Sequence, residues 1–223
     1  MSPAAPYAIL AELTHRCPLR CPYCSNPVDL VRRSQELDTT TWMHVLRQAA
    51  EMGILQVHFS GGEPTARPDI EELVGYAEAQ GLYANLITSG VLSDTQQIER
   101  LARAGLAHVQ ISIQESEADS GDWIAGYPGA QQKKLALAAS VEATGLALTV
   151  NAVIHRQNIE RVGEMIDLAV AMKAQRVEVA NRLLELRHEV SRQGDPLPCG
   201  FPLTFVIQVI DTKIKITPAP ELL

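Results

Sequence analysis

Apolar positions along the chain follow two alternating periods. Short β-rich runs are each followed by a longer stretch at helical spacing, and the alternation repeats. Strands are predicted over residues 7–13, 55–59, 83–87, 107–113, 147–153 and 176–180. Helices are predicted over 39–52, 69–79, 94–104, 130–143 and 159–172. Asp38 or Thr39, Ser93 or Asp94, and Asn158 are the expected caps, and Gly53, Gly81, Gly105 and Gly145 the stops. Six βα-like repeats in one order imply a parallel sheet covered by helices. Right-handed crossovers leave an open doubly wound sheet or a full or partial α/β barrel.

Ligand chemistry sits at the C-terminal ends of the strands in either arrangement. Each strand here delivers polar residues or glycine to that rim: the Cys17–Cys21–Cys24 loop, Gly61-Gly62-Glu63-Pro64, Thr88-Ser89-Gly90, Ser112 with Gln114 and Glu115, Asn151 with His155, and Asn181. A curved sheet gathers these ends around one cavity, whereas an open sheet scatters them along an edge. The curved sheet is therefore the expected form. Beyond Asn181 the rhythm stops. Residues 182–192 read as a possible helix, 194–202 are rich in proline and glycine, and 203–210 and 213–217 read as two strands, a hairpin about Asp211-Thr212. The expected division is a core over 1–181 and a short divergent tail over 182–223.

The 223 residues are 46% hydrophobic, which argues for a packed core. Twenty-six acids against nineteen Lys and Arg give a formal charge of −7, which disfavours an electrostatic grip on nucleic acid or an anionic membrane. No run approaches the roughly 20 apolar residues of a membrane span. No basic segment followed by an apolar one marks a signal peptide. A cytoplasmic protein without nucleic-acid or membrane partners is expected.

Three of the four cysteines fall in Cys17-Pro-Leu-Arg-Cys21-Pro-Tyr-Cys24. Pro18 and Pro22 disfavour continuous helix, so the loop can wrap an object. Three thiolates are one short of a closed zinc site and one short of a fully ligated four-iron cluster. A structural zinc completed by His15 or Cys199 and a cluster with one open iron both fit that count. Gly61 and Gly62 permit close backbone approach, and Glu63 offers an acceptor for an ammonium group. Ser112 and Gln114, two apart on a strand, share a face and can hydrogen-bond a ribose. Asn151 and Asn181 are ribose or carboxylate ligands by position. Thr88, Ser89, His155 and Arg156 are weaker candidates.

The C-x-x-x-C-x-aromatic-C pattern, with Tyr23 as the aromatic, resembles the signature of radical S-adenosylmethionine enzymes. The resemblance implies an α/β fold, a partial (β/α)6 barrel of the radical SAM type. It implies one [4Fe-4S] cluster held by Cys17, Cys21 and Cys24, whose open iron chelates S-adenosyl-L-methionine. Glu63, with Gly61 and Gly62, would bind the methionine amino group. Tyr23 would lie near the adenine, with Ser112, Gln114, Asn151 and Asn181 as further cofactor contacts. Cleavage of the sulfonium bond would yield a 5′-deoxyadenosyl radical.

Longer runs narrow the resemblance, among them Ala11-Glu-Leu-Thr-His-Arg-Cys17, Gln56-Val-His-Phe-Ser-Gly-Gly-Glu-Pro64, Val109-Gln-Ile-Ser-Ile-Gln114 and Val150-Asn-Ala-Val-Ile-His-Arg-Gln-Asn158. They are similar to the peptide cyclases of pyrroloquinoline quinone biosynthesis. That family implies an oxidoreductase forming a carbon–carbon crosslink between Glu and Tyr side chains of a small ribosomal precursor peptide. A peptide-chaperone protein and a flavodoxin-like reductant are the implied partners. Another radical peptide or cofactor maturase, or a non-catalytic peptide-binding remnant, are the alternatives. The family continues into a cysteine-rich domain with auxiliary clusters, whereas residues 182–223 offer only Cys199.

Overall fold

A computed structural model describes residues 6–24, 33–181, 204–210 and 213–218. The predicted helix at 182–192 and the stretch 194–202 lie outside the described residues, as does Cys199.

Six parallel strands alternate with helices: β1 (Ala8–Glu12), α1 (Thr39–Glu51), β2 (Gln56–Ser60), α2 (Ile70–Ala79), β3 (Tyr83–Thr88), α3 (Thr95–Arg103), β4 (Leu106–Ile113), α4 (Ala118–Ala125), α5 (Ala130–Thr144), β5 (Ala147–Ile154), α6 (Val162–Ala171) and β6 (Arg176–Asn181). Each strand pairs in parallel with the next in sequence. A doubly wound sheet reverses its strand order at a switch point, and the described strands have none. Sequential right-handed crossovers put the helices on one face, so the sheet curls around the other. The expected partial barrel is the observed architecture. β1 and β6 are not neighbours, so the barrel is open.

β7 (Thr204–Ile210) and β8 (Lys213–Pro218) form an antiparallel pair, and β7 lies antiparallel to β6. The two predicted tail strands are thus present, and they extend the core sheet.

Alternation sets the two faces of the sheet. Val57, Phe59, Ala84, Leu86, Val109, Ile111, Leu148 and Val150 are buried against Leu46, Leu73, Ile98, Leu101, Leu137 and Val141 of the helices. Burying each large aliphatic side chain contributes about 1.5–3 kcal/mol, and this layer holds the curl. The helix starts follow their caps: Asp38 accepts from the Thr41 amide at 2.8 Å, and Asp94 from that of Gln97 at 2.8 Å.

Two expectations need correction. α4 was not predicted as a helix. It has eight residues and contains Asp119, Ser120, Gly121 and Asp122, all poor helix formers; packing on α5 stabilises it. The last predicted helix begins as a 3-10 turn over Ile159–Arg161, and the Asn158 side chain does not cap it. Asn158 is fully buried. Its Nδ2 donates to the Gln114 and Val153 carbonyls at 2.9 Å each, and its Oδ1 accepts from the His155 amide. It ties the end of β4 to the end of β5.

Candidate cofactor site

The chain leaves β1 through Leu13 and Thr14 into the cysteine loop. The loop is held against the end of β2 by backbone alone. Leu13 donates to the Ser60 carbonyl at 2.9 Å, Gly62 to Thr14 at 2.6 Å, and Glu63 to Arg16 at 2.7 Å. No side chain fits at this seam. A Cβ on Gly61, whose φ is +122°, would stand 2.4 Å from the Thr14 oxygen, and one on Gly62 2.5 Å from the Arg16 oxygen. The glycine pair therefore fixes where Cys17 begins. On the other side, Arg20 donates to the Ala125 carbonyl at 2.7 Å, and Gly126, in the left-handed region, sits against Arg20. α4 is thus the second wall of the loop.

Cys17 and Cys21 are partly buried and Cys24 is exposed; all three are free thiols. Burial, chiefly, pushes the Cys17 thiol up to about 11, and the nearby Glu63, Cys21 and Cys24 charges add to this. Burial also raises Cys21, opposed by Lys134. Among the described residues no three His, Cys, Asp or Glu side chains stand close enough together to hold a metal ion, so the three thiols share a loop without converging on one point. A bound cation reverses this balance and favours the thiolates.

Glu63 is fully buried. Its Oε1 accepts from the Thr65 amide at 3.1 Å and the Thr65 hydroxyl at 2.7 Å. Its Oε2 accepts from the Ser89 amide at 2.7 Å and from the Ser89 hydroxyl, and the Thr88 hydroxyl reaches both oxygens. Thr88 and Ser89, weak candidates in the sequence, thus orient the Glu63 carboxylate. These donors are neutral, and among the described residues Glu63 has no ion pair.

Lys134 is the residue that sequence reasoning missed. It lies on α5, is 1% exposed, and its amine donates to Gln114 Oε1. Burial lowers its pKa to about 8, against the opposing pull of Cys21, Asp122, Cys17 and Glu63. The signal was available: Ala130, Lys134, Leu137, Ala138 and Val141 form one helical stripe, and only position 134 is charged. A charge in a core-facing stripe is costly unless it meets a partner.

Tyr23 lies beside the His155 ring, centroids 5.2 Å apart, so the end of β5 meets the loop. Burial, and then the Cys21 charge, hold its phenol well above the usual range. Its buried hydroxyl is directed toward Gln114 and Cys21. Ser112 and Asn151 are in register on neighbouring strands, on the concave face. Asn181 ends β6 opposite Ile154; its side chain lies outside the described set. The structure thus brings Cys17, Cys21, Tyr23, Glu63, Gln114 and Lys134 to one end of the barrel. Arg156 stands apart, exposed.

The donor set fits an iron–sulfur cluster beside an amino-acid moiety. Three soft thiols lie in one loop, although they do not converge on one point in this structure, and a buried carboxylate and a buried amine lie at the same end of the barrel without pairing to each other. The curled, open parallel sheet with helices on one face and polar strand ends at one rim defines a partial α/β barrel. The family model of the Radical SAM superfamily matches residues 11–169, and the chain belongs to that superfamily. S-adenosylmethionine and an iron–sulfur cluster are the cofactors of that superfamily in general.

Among curated proteins, the chain is 58% identical over 176 residues to the PqqA peptide cyclase of Methylocella silvestris, covering 79% of this chain and 47% of the relative. It is 55% identical over 179 residues to the PqqA peptide cyclase of Gluconobacter oxydans, covering 80% of this chain and 50% of the relative. The chain therefore spans about half the length of the curated relatives it matches. Among solved structures, Streptococcus suis SuiB bound to precursor peptide SuiA superposes with a TM-score of 0.71 at 24% identity, over 84% of this chain and 46% of that one. The enzyme anSMEcpe with bound AdoMet and a peptide gives 0.66 at 16% identity, over 79% and 51%. These two likenesses concern the fold. Among the described residues no helix is long and apolar enough to cross a membrane.

Proposed function

We propose that the chain carries the radical core of a cytoplasmic peptide cyclase of pyrroloquinoline quinone biosynthesis, with residues 1–181 as that core. The observation that carries the cofactor assignment is the unpaired burial of opposite charges. Glu63 and Lys134 are both at least nine-tenths buried, and each lacks an ion-pair partner among the described residues. Buried charges are normally paired. A methionine moiety supplies both missing partners at once: its ammonium for Glu63 and its carboxylate for Lys134.

Cys17, Cys21 and Cys24 would hold one four-iron cluster, leaving one iron for the cofactor. When bound, that pair supplies the electron that cleaves the sulfonium bond and the radical that abstracts hydrogen. This chain's own residues do the placing. Thr65, Thr88 and Ser89 fix the Glu63 carboxylate. Gln114 fixes the Lys134 amine. Ser112 and Asn151, on the concave face, would take the ribose hydroxyls, and Tyr23 and Asn181 would border the adenosyl group.

The identity to PqqA peptide cyclases over four-fifths of the chain supports a precursor peptide as substrate and a Glu–Tyr carbon–carbon crosslink as product. A peptide-chaperone protein and a flavodoxin-like electron donor complete this reading. The test is reductive cleavage. After anaerobic reconstitution with iron and sulfide, the chain is given S-adenosylmethionine and dithionite, and 5′-deoxyadenosine is quantified. Product above the Cys17→Ala control supports the radical core. A fully loaded cluster without product overturns it.

A further inference from the structure

The concave face carries a second set of polar groups, two to four residues below the strand ends that form the rim. Val57 and Phe59 lie in the helix-facing core, so His58 between them points into the hollow. Asn85, between Ala84 and Leu86, does the same, as do Gln110, Thr149 and Glu178 on β4, β5 and β6, with His108 one pleat below Gln110. A barrel interior that served only for packing would carry branched apolar residues here.

The set is built in pairs. Asn85 Nδ2 lies 2.8 Å from His58 Nδ1. An amide nitrogen only donates, so His58 Nδ1 accepts and the ring proton sits on Nε2. His108 Nε2 meets the Thr149 hydroxyl at 2.8 Å. Glu178 accepts from Gln110 Nε2 at 3.2 Å and lies 3.6 Å from Arg176. The Glu178 charge is felt at His58, and His58 in turn at His108, so β2, β4 and β6 face one another across the hollow. Burial lowers the pKa of both rings, that of His108 to about 4, so both are neutral near pH 7. His58 Nε2 makes no hydrogen bond among the described residues. Glu178 is balanced by Arg176, which leaves the set without net charge. Leu10, 58% exposed and in register with His58, and Ile87 supply apolar surface beside it.

We infer that this hollow seats the phenol of the substrate tyrosine, with His58 Nε2–H donating to the phenol oxygen and Glu178 accepting the phenol hydrogen. The inference rests on the peptide-crosslinking reading above. Of the two reacting side chains in that reading, a carboxylate would meet the Glu178 charge, whereas a phenol both gives and accepts one hydrogen bond. The ring then lies against Leu10 and Ile87. His58 is thus a specificity-determining residue, and Asn85 a positioning residue that sets its tautomer.

The test is binding by the full chain, reconstituted anaerobically and saturated with S-adenosylmethionine. Two fluorescein-labelled synthetic peptides are compared, one carrying a glutamate and a tyrosine, the other a glutamate and a phenylalanine. The chain is expected to favour the tyrosine peptide about fivefold to tenfold, the value of one well-placed hydrogen bond. His58→Gln, whose amide nitrogen stands near the Nε2 position, retains the preference, and His58→Leu loses it. Should His58→Leu fail to fold, Glu178→Gln weakens the tyrosine peptide alone. Equal affinity of the wild-type chain for both peptides, or a preference that survives His58→Leu, overturns the inference and leaves the peptide reading standing. Binding of neither peptide, with cofactor cleavage intact, overturns both.

Discussion

The buried amine of Lys134 on α5 donates to the side-chain carbonyl of Gln114 at the end of β4. The contact joins a helix to the rim of the barrel and leaves a cation near the cysteine loop with no ion-pair partner among the described residues. Two hydrogen-bonding groups and one unpaired charge thus stand where the proposed methionine carboxylate would lie.

Lys134→Met tests that placement. The change keeps the length of the side chain and removes a desolvated charge, so stability should hold or rise. Affinity for S-adenosylmethionine should fall about tenfold to a hundredfold, the worth of a hydrogen bond to a charged group. Anaerobic calorimetry reads both quantities. Unchanged affinity would place the carboxylate elsewhere.

The seam between the cysteine loop and β2 makes a sharper demand. Gly62→Ala drives a methyl into the Arg16 and His15 carbonyls, and backbone cannot move aside cheaply. Iron retained after reconstitution and desalting should fall roughly tenfold or more, as when a ligand's support is lost. Gly145→Ala is the control. Its φ is also positive, +74°, but its surroundings are open. It should cost about 1–2 kcal/mol of backbone strain and leave iron binding unchanged.

Asn158→Ala removes the tie between β4 and β5. It leaves two carbonyls and one amide with no partner in a buried setting. A loss of about 2–4 kcal/mol is expected in urea denaturation, with the slope unchanged. A loss under 0.5 kcal/mol would show that water replaces the amide at no cost.

Acid should destabilise the fold in two windows. Burial lowers His108 to about 4, so between pH 6.5 and 4 the unfolded chain binds more protons than the folded one, and stability falls with pH. Asp69 is partly desolvated, which opposes ionisation, but its bonds from Arg67 and Thr39 prevail and hold its pKa below the usual range. Its contribution is present above the unfolded value and is lost as pH falls through the folded one. His108→Gln should flatten the urea-midpoint profile between pH 6.5 and 4 alone, and Asp69→Asn only the steeper part below pH 4.

The sequence by itself determined the order of elements and which polar residues end the strands at the rim. Period-two and helical runs placed six strands and five helices to within a residue or two, except where α6 begins as a 3-10 turn. The spacing of Cys17, Cys21 and Cys24 is local, so it could be read without the fold. Glu63 could be read the same way, because its neighbours Gly61 and Gly62 mark it. What stayed hidden depends on contacts between distant segments. α4 escaped because Gly121, Ser120 and two aspartates disfavour a helix, and only its packing on α5 and on the Arg20 backbone stabilises it. Lys134 escaped because a lysine on a helix is ordinarily solvated; its place in the otherwise uncharged stripe of Ala130, Leu137, Ala138 and Val141 is a sequence signal, but the tertiary structure alone shows what its amine meets. Asn158 looks like a cap in sequence, yet the curl of the sheet brings the β4 and β5 ends within reach of its amide. Thr88 and Ser89 gained their role the same way, when β3 came to lie beside β2. Local pattern sets secondary structure and short motifs. Which polar side chains share a buried site is set by how the strands close, and pairings across 25 to 44 residues leave no periodic trace.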